Sequence, residues 1–166
     1  MKQLPILFLL CGLFNLNAQS VKDLDFLIGK WEVSEIVYAG TDKEYIETGS
    51  RECAYHMDGS WIKCETMGKR HGRDRSYTFL INYHPEKEYF QFLSFSSDYP
   101  DLGVTAWEID TDAQMIIGRS TQGYESIHSI NFKDKDKIIW QGLYPRAGED
   151  ATLELHPMWT ETATRK

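Results

Sequence analysis

The sequence predicts an all-β fold, a single antiparallel up-and-down β-barrel of about 8 to 10 strands preceded by a short N-terminal helical turn. Three observations indicate it. Short runs rich in aromatic and β-branched residues recur at hairpin spacing, polar turns separate them, and helical periodicity is almost absent. Aromatic residues make up 13% of the chain, which suits strands that pack on a shared core. A closed barrel is favoured because closure removes exposed sheet edges.

The N-terminal segment predicts export. Lys2 supplies a positive start, an apolar run covers residues 4–16, and Asn17-Ala18-Gln19 is a small-residue cleavage site. The apolar run is too short to span a bilayer. A lipid anchor at Cys11 is disfavoured because the residue before it is large. We therefore expect an exported protein, periplasmic or secreted after signal cleavage.

Cleavage divides the chain into a signal peptide, residues 1–18, and one barrel domain, residues 19–166. The domain keeps about 148 residues, which is enough for a sizeable core. The formal charge changes from −7 to −8 when Lys2 leaves with the signal. Acidic exported proteins are poor candidates for binding nucleic acids or anionic membrane surfaces, so we expect no nucleic acid partner and no membrane span.

The first strand is predicted to begin at a short apolar turn that ends in Gly29 and Trp31. Asp23 or Asp25 can cap this turn by accepting backbone N–H groups, and Gly29 tolerates the positive φ of a sharp change in direction. Alternation then places one set of side chains on a single face: Trp31, Val33, Glu35 and Val37. We expect Trp31 to plug one end of the barrel, and a simple core role is nearly the same prediction.

Two cysteines remain once Cys11 leaves with the signal. Cys53 and Cys64 lie equally far from Asp58-Gly59, a strong hairpin-turn signal. If the loop covers Met57–Ser60, the two thiols face each other where antiparallel strands approach closely. Since exported proteins meet oxidising conditions, the sequence predicts a Cys53–Cys64 disulfide; the alternative is two reduced, packed thiols.

The other strands follow from alternating apolar and polar residues between turn signals. The predicted strands cover residues 32–38, 45–55, 61–67, 76–83, 88–97, 104–110, 114–120, 124–132, 137–144 and 151–164. The charged segment Gly68–Arg75 is predicted to be a loop, either an anion-binding rim or a solvated hairpin tip. The segment Asp98–Gly103 is predicted to be a loop that forms a lid or simply connects two strands.

Four short motifs resemble one family. The first, Phe26–Glu32, has the sequence Phe-Leu-Ile-Gly-Lys-Trp-Glu. The second, Asp58–Lys63, comes after a hairpin. The third, Ile81–Tyr89, contains a turn with a proline and then the start of a strand. The chain resembles exported bacterial proteins of lipocalin-like fold, in the calycin superfamily, and Trp159–Lys166 is similar to the calycin closing strand. It lacks the middle motif and the C-terminal helix of well-studied lipocalins. The resemblance therefore implies the barrel and not a specific transport function.

The resemblance also implies structural roles for three residues. Gly29 and Trp31 match the Gly-x-Trp entry of lipocalins, in which an Arg of the last strand packs over the indole. Arg165 is the matching residue here, and a cation–π contact of this kind contributes about 0.5 to 2 kcal/mol.

Polar residues on otherwise apolar strand faces are the candidates for holding a ligand. If Gln122-Gly123 is a two-residue turn, Ile117 lies opposite His128, and Arg119 lies opposite Ser126. Arg119 and His128 are then diagonal neighbours on one face, where the arginine can hold a carboxylate bidentately. The alternative is an outer face on which the Arg119 side chain extends into water.

His156 lies near the C-terminal end of the chain. A histidine there is similar to the iron ligand of haem-binding, nitrobindin-like barrels, but the rest of that motif is missing and Pro157 follows directly. We therefore expect no cofactor. The other histidines outside the predicted strands lie in or beside turns without the paired spacing of metal ligands, so we expect no metal site: His56, His71 and His84.

Enzyme motifs are missing. The sequence has no Gly-x-Ser-x-Gly nucleophile elbow and no phosphate-binding glycine loop, and a disulfide leaves no cysteine free to act as a nucleophile. Glu35, or Glu108 on the face of Val104 and Ala106, can be a buried carboxylate suited to acid or base chemistry. A barrel isomerase, cyclase or hydrolase using an interior carboxylate or histidine is thus the alternative to a non-catalytic protein.

The sequence favours a non-catalytic exported protein that binds a small apolar or amphipathic molecule inside the barrel. The predicted ligand-binding residues are Trp31, Tyr83, Trp107, Arg119, His128, Trp140 and His156. For the tryptophans a core role is the alternative interpretation. A third hypothesis is an interaction module, or a homodimer, that docks through the outer aromatic side chains of strands 76–97.

Overall fold

A 3-10 helix, Val21–Leu27, leads the chain into the barrel. Ser20 caps it: its Oγ accepts from the Lys22 N–H at 3.2 Å, and its own N–H donates to Asp23 Oδ2 at 2.8 Å. Asp23 thus accepts a backbone N–H as predicted, although Ser20 is the N-cap residue. The apolar side of the helix, which includes Leu24, is buried against the core.

The computed structural model describes residues 20–97, 103–110, 115–120, 125–147 and 153–166. The predicted signal peptide and most of the predicted loop Asp98–Gly103 lie outside these residues. Within them the N-terminal helix is the only one, and its seven residues are too few to cross a membrane.

Ten antiparallel strands form one closed barrel, which confirms the predicted fold class. Each strand pairs with its neighbours in the chain, and β1 pairs with β10 to close the sheet. The strands are β1 Gly29–Val37, β2 Tyr45–His56, β3 Trp61–Arg70, β4 Arg73–His84, β5 Tyr89–Ser96, β6 Gly103–Asp110, β7 Met115–Ser120, β8 Glu125–Asp134, β9 Lys137–Ala147 and β10 Leu153–Arg165.

Trp31 closes one end of the barrel. Its indole is 1% exposed, and its Nε1 donates to the carbonyl of Leu27 at 2.8 Å. The Arg165 guanidinium lies 4.2 Å from the centroid of the Trp31 ring, as the resemblance implies, and Nη1 donates to the carbonyl of Ile28 at 2.8 Å. Gly29 has a φ of 136°, and a Cβ there would meet the guanidinium, so this position requires glycine.

The disulfide is present between Cys53 and Cys64, as predicted. The two residues are directly opposed, with their Cα atoms 4.1 Å apart, and a turn at residues 57–60 connects their strands. Both are buried in the core. The alternation predicted for β1 is also confirmed, since Trp31, Val33 and Val37 are buried.

The predicted loop Gly68–Arg75 is wrong. β3 continues to Arg70, and a two-residue turn, His71-Gly72, with φ of 49° and 76°, leads directly into β4. Charged residues do not interrupt these strands because side chains near the open end reach water outside the barrel or charged partners inside it. Arg70 and Arg75 are consequently wall residues of the barrel interior.

The register predicted between β7 and β8 is also wrong. Ile116, not Ile117, lies opposite His128, and Arg119 lies opposite Glu125. The observed register differs by one residue from the register predicted, and such a slip moves every residue to the other face. His128 therefore shares a face with positions 116 and 118, and the predicted pairing with Arg119 does not form. The turn itself, residues 121–124, and the Arg119 side chain lie outside the described part of the structure.

Candidate ligand-binding cavity

A cavity of about 530 Å³ opens at the end of the barrel opposite Trp31. Apart from Tyr38, its described lining residues come from β1 to β6 and from β8 to β10. Its lining residues are Glu35, Val37, Tyr38, Tyr45, Arg51, Arg70, Arg75, Tyr77, Phe79, Phe92, Ser94, Trp107, His128, Trp140, Met158, Trp159 and Glu161.

Small interior residues leave this end of the barrel open. Gly118 lies opposite Trp107, and Gly142 lies opposite Trp159. The Trp159 indole occupies the space that a Cβ of Gly142 would fill, so this ring packs directly against the β9 backbone. Large aromatic rings can thus line the cavity without filling it.

Six rings form one contiguous cluster that we call the aromatic box: Phe79, Phe92, Trp107, His128, Trp140 and Trp159. Phe92 and Trp107 stack with ring centroids 4.1 Å apart, and Trp140 meets Trp107 edge to face at 5.5 Å. Trp159 lies 6.3 Å from Trp140. Planar apolar molecules pack well against such surfaces.

His128 is the polar member of the aromatic box. Its Nδ1 accepts a hydrogen bond from Trp140 Nε1 at 3.2 Å. Burial lowers the pKa of His128 to about 4 because the charged ring would lose its hydration. The ring is therefore neutral near pH 7, and with Nδ1 acting as the acceptor its proton is on Nε2.

Arg51 and Glu161 form a buried ion pair in the wall. Arg51 Nη1 and Nη2 donate to the two Glu161 oxygens at 2.7 and 2.5 Å. Arg51 Nε donates to Thr66 Oγ1 at 2.9 Å, and Nη2 also donates to the Tyr77 hydroxyl at 2.6 Å. Partners therefore surround this guanidinium, as a buried charge requires.

Glu47 and Arg75 form a second ion pair towards the open end. Arg75 Nη1 lies 2.6 Å from Glu47 Oε2, and both side chains are largely buried. The pair spans β2 to β4 because the intervening positions, Gly49 and Gly68, carry no side chain. These glycines are opposed so closely that a Cβ on Gly49 would meet the β3 backbone.

Glu35 is a carboxylate of the cavity lining that differs from Glu47 and Glu161 in its contacts. It lies opposite Glu47 on β2 and opposite Glu161 on β10, yet no hydrogen bond or ion pair joins it to another described residue. The pKa of Glu35 is raised to about 7, mainly by burial and further by the neighbouring Glu161 and Glu47 carboxylates, and Arg75 and Arg51 only partly oppose this rise.

Of the predicted ligand-binding residues, Trp107, His128 and Trp140 line the cavity together. Trp31 lies at the closed end instead. Tyr83 is not a lining residue, and its ring centroid lies 5.1 Å from that of Phe90 in the core. His156 lies outside the lining too, half-buried opposite Tyr144 on β9, with their ring centroids 6.3 Å apart. The side chains of Arg119 and Glu108 lie outside the described part of the structure.

The buried charged residues Arg51, Glu47 and Glu161 were not predicted from the sequence. Arg51 and Glu47 share a face with Cys53, and Glu161 shares a face with Arg165, so alternation from residues already placed inside the barrel would have found them. Charge itself argued against this reading, because single charged residues rarely face a core. In the described residues no three His, Cys, Asp or Glu side chains are grouped as metal ligands.

No protein-family model matches the chain, and no curated protein matches it. Several solved structures are similar in fold. One is the crystal structure of Rv2717c from M. tuberculosis, with a TM-score of 0.58 and 12% identity over 88% of this chain and 96% of that chain. Another is the S-type phycobiliprotein lyase CPES from Guillardia theta, with a TM-score of 0.56 and 13% identity over 89% and 93%. At these identities the likeness establishes a calycin-like β-barrel fold and nothing more specific.

Proposed function

We propose that this protein is an exported lipocalin-like carrier that binds a small aromatic or amphipathic molecule inside the barrel without transforming it. The observation that carries the proposal is the cavity itself, which has an aromatic surface, a charged wall and one open end. Its volume of about 530 Å³ is within the usual range of ligand pockets, roughly 300 to 1,000 Å³. The predicted signal peptide supports the exported location.

The fold comparison supports a barrel that serves a ligand. One of the similar structures is a phycobiliprotein lyase. The interior chemistry adds to this support, because a barrel needed only for its own stability gains nothing from leaving large aromatic rings around an open space.

Native mass spectrometry of the protein purified from its own exported compartment tests the proposal. We expect a bound small molecule whose mass disappears on denaturation. A Ser94→Trp variant, which places a large ring in the cavity wall, will lose that molecule, whereas Ser34→Trp on the outer face of β1 will retain it. Equal occupancy in both variants, or a bare protein that also fails to bind the neutral dye Nile red, contradicts the proposal.

One observation favours an enzyme as the second candidate. Glu35 lines the cavity with a pKa raised to about 7, which suits a general base or acid at neutral pH. If the protein is an enzyme, the co-purified molecule will change mass on prolonged incubation with the wild type and remain unchanged with Glu35→Gln. Unchanged mass with both proteins supports the carrier.

Docking through the outer aromatic strands remains a prediction. Met67 and Phe95 are exposed on β3 and β5, and the native mass spectrum will report a dimer directly if these surfaces pair.

A further inference from the structure

The ionisable groups of the cavity are paired unequally. Two carboxylates, Glu35 and Glu161, and three guanidiniums line it, and Glu47 lies opposite Glu35 on β2. Glu161 holds Arg51, and Glu47 holds Arg75, at distances of 2.5 to 2.7 Å. The Arg70 guanidinium lies over the Tyr45 ring, 5.0 Å from its centroid. Glu35 is the carboxylate of this wall that no described side chain holds.

The register places Glu35 beside the aromatic box. Glu161 is its direct neighbour on β10, and Trp159, which lies opposite Val37, is the diagonal neighbour on the same face. Directly opposed and diagonal neighbours lie about 5 and 7 to 8 Å apart, within reach of long and aromatic side chains. Trp140 lies opposite Glu161 on β9, so Glu35, Glu161 and Trp140 are successive neighbours across three adjacent strands. A molecule among these rings therefore meets the Glu35 carboxyl at its edge.

We propose that the ligand is an aromatic organic cation, a planar ring bearing a protonated amine, with its ring in the aromatic box and its ammonium group on Glu35. This inference rests on the ligand-binding function proposed above and names the chemical class of the ligand. Tryptophan faces attract ammonium groups more strongly than other aromatic side chains do, and they do so best where water is excluded. The carboxylate supplies the opposite charge and a hydrogen-bond acceptor.

The same wall disfavours an anionic ligand. The two buried guanidiniums already bind carboxylates through short, charge-assisted hydrogen bonds. An anion that approached Arg51 or Arg75 would have to displace Glu161 or Glu47 and leave that carboxylate buried without its partner, which is strongly unfavourable. A cation instead relieves the repulsion among three neighbouring carboxylates: Glu35, Glu47 and Glu161.

Three indole probes separate the charge from the ring. Tryptamine is cationic, indole-3-ethanol is neutral, and indole-3-acetate is anionic, while the ring is the same. By isothermal titration calorimetry we expect tryptamine to bind the wild type at least about tenfold more tightly than indole-3-ethanol, the change expected for one hydrogen bond to a charged group. Glu35→Gln will remove that preference, and the matched control Glu32→Gln on the outer face will keep it.

Proton release provides a readout that a purely structural role for Glu35 would not give. Since a bound cation favours the ionised carboxylate, tryptamine binding below the Glu35 pKa of about 7 will expel a proton, and the binding enthalpy will depend on the buffer. The affinity will rise with pH through that range while the amine stays protonated. The charged and titratable groups that face Glu35 are Glu161, Glu47, Arg75, Arg51, Tyr45 and Tyr77.

The outcomes distinguish this inference from the function on which it rests. Equal binding of the cationic and neutral probes, tighter binding of indole-3-acetate, or a tryptamine preference that survives Glu35→Gln overturns the cation assignment and leaves a ligand-binding barrel. Failure of all three indoles and of the neutral dye Nile red overturns both.

Discussion

At the scale of single residues, Glu35 and His128 place two buried titratable groups in one cavity. Burial favours the neutral form of each, so it raises the pKa of the acid to about 7 and lowers the pKa of the base to about 4. Ionisation of Glu35 therefore lowers stability as the pH rises, whereas protonation of His128 lowers stability as the pH falls. Each belongs to the candidate site, and ligand affinity and protein stability are linked through them.

Glu35→Gln will stabilise the protein in alkali. The pKa of Glu35 rises from an ordinary 4.5 to about 7 in the folded state, so its contribution to stability is complete below pH 4.5 and is lost as the pH rises through 7. At about pH 8 the variant will have a free energy of unfolding about 2 to 3 kcal/mol above the wild type. The difference will vanish near pH 4.5. Urea unfolding across this range measures it, with Glu32→Gln as the control; a difference independent of pH would contradict the burial of this carboxyl.

His128→Gln will reduce the sensitivity of the protein to acid. The pKa of His128 falls from 6.5 to about 4 on folding, so stability is complete above pH 6.5 and is lost as the pH falls towards 4. The wild type loses about 2 to 3 kcal/mol of unfolding free energy over this range through this residue. Glutamine retains an acceptor for Trp140 Nε1 and does not titrate. The exposed residue His56 supplies the matched control, and equal slopes for His128→Gln and His56→Gln would refute the prediction.

At the scale of strands, β2 and β3 have different tasks at their two ends. Near the closed end, Cys53 and Cys64 link them covalently within the core. Near the open end, Gly49 and Gly68 keep the interior clear so that Arg75 of β4 reaches Glu47. One hairpin thus combines a covalent link with an open cavity wall.

Removal of the disulfide will destabilise the barrel without emptying the cavity. The Cys53→Ala/Cys64→Ala double variant will lose about 2 to 3 kcal/mol of unfolding free energy, as expected when a small loop is no longer closed in the unfolded chain. Its ligand binding will persist, because neither cysteine lines the cavity. Denaturant unfolding of the oxidised wild type, the reduced wild type and the variant provides the measurement. If reduction leaves the wild-type stability unchanged, the bridge does not stabilise the fold.

At the scale of the whole molecule, closure and binding lie at opposite ends of the barrel. The β1–β10 pairing completes the sheet, and at its closed end Arg165 covers Trp31 and donates to the carbonyls of Ile28 and Lys135. Further along the same two strands, Glu35 and Glu161 contribute to the cavity wall. The seam that closes the barrel therefore also positions two of its carboxylates.

Arg165→Ala will lower stability and spare ligand binding. The variant loses a cation–π contact and two hydrogen bonds, which together contribute about 2 kcal/mol. Arg73→Ala, at an exposed position at the start of β4, will change stability by less than about 0.5 kcal/mol. Thermal unfolding and calorimetry with the ligand measure both effects. An affinity that falls in proportion to stability would show that the closed end and the cavity are coupled.

Much of the fold is determined locally and is therefore readable from the sequence. Strand alternation, hairpin spacing and the Asp58-Gly59 turn predict the barrel and place Cys53 opposite Cys64, because these features depend only on near neighbours in the chain. Between β7 and β8 the register is shifted by one residue from the prediction, so the period of two reverses the faces and the predicted Arg119–His128 pairing is wrong.

The sequence by itself determined the barrel, the Trp31 closure and three of the cavity residues, Trp107, His128 and Trp140. Tertiary structure alone decided the chemistry of the site. Glu35 meets Glu161 only because the first and last strands pair, and Arg51 and Arg75 reach their carboxylates only across the closed interior. Charge pairing and pKa shifts depend on distance and burial in three dimensions, and these quantities are set when the barrel closes.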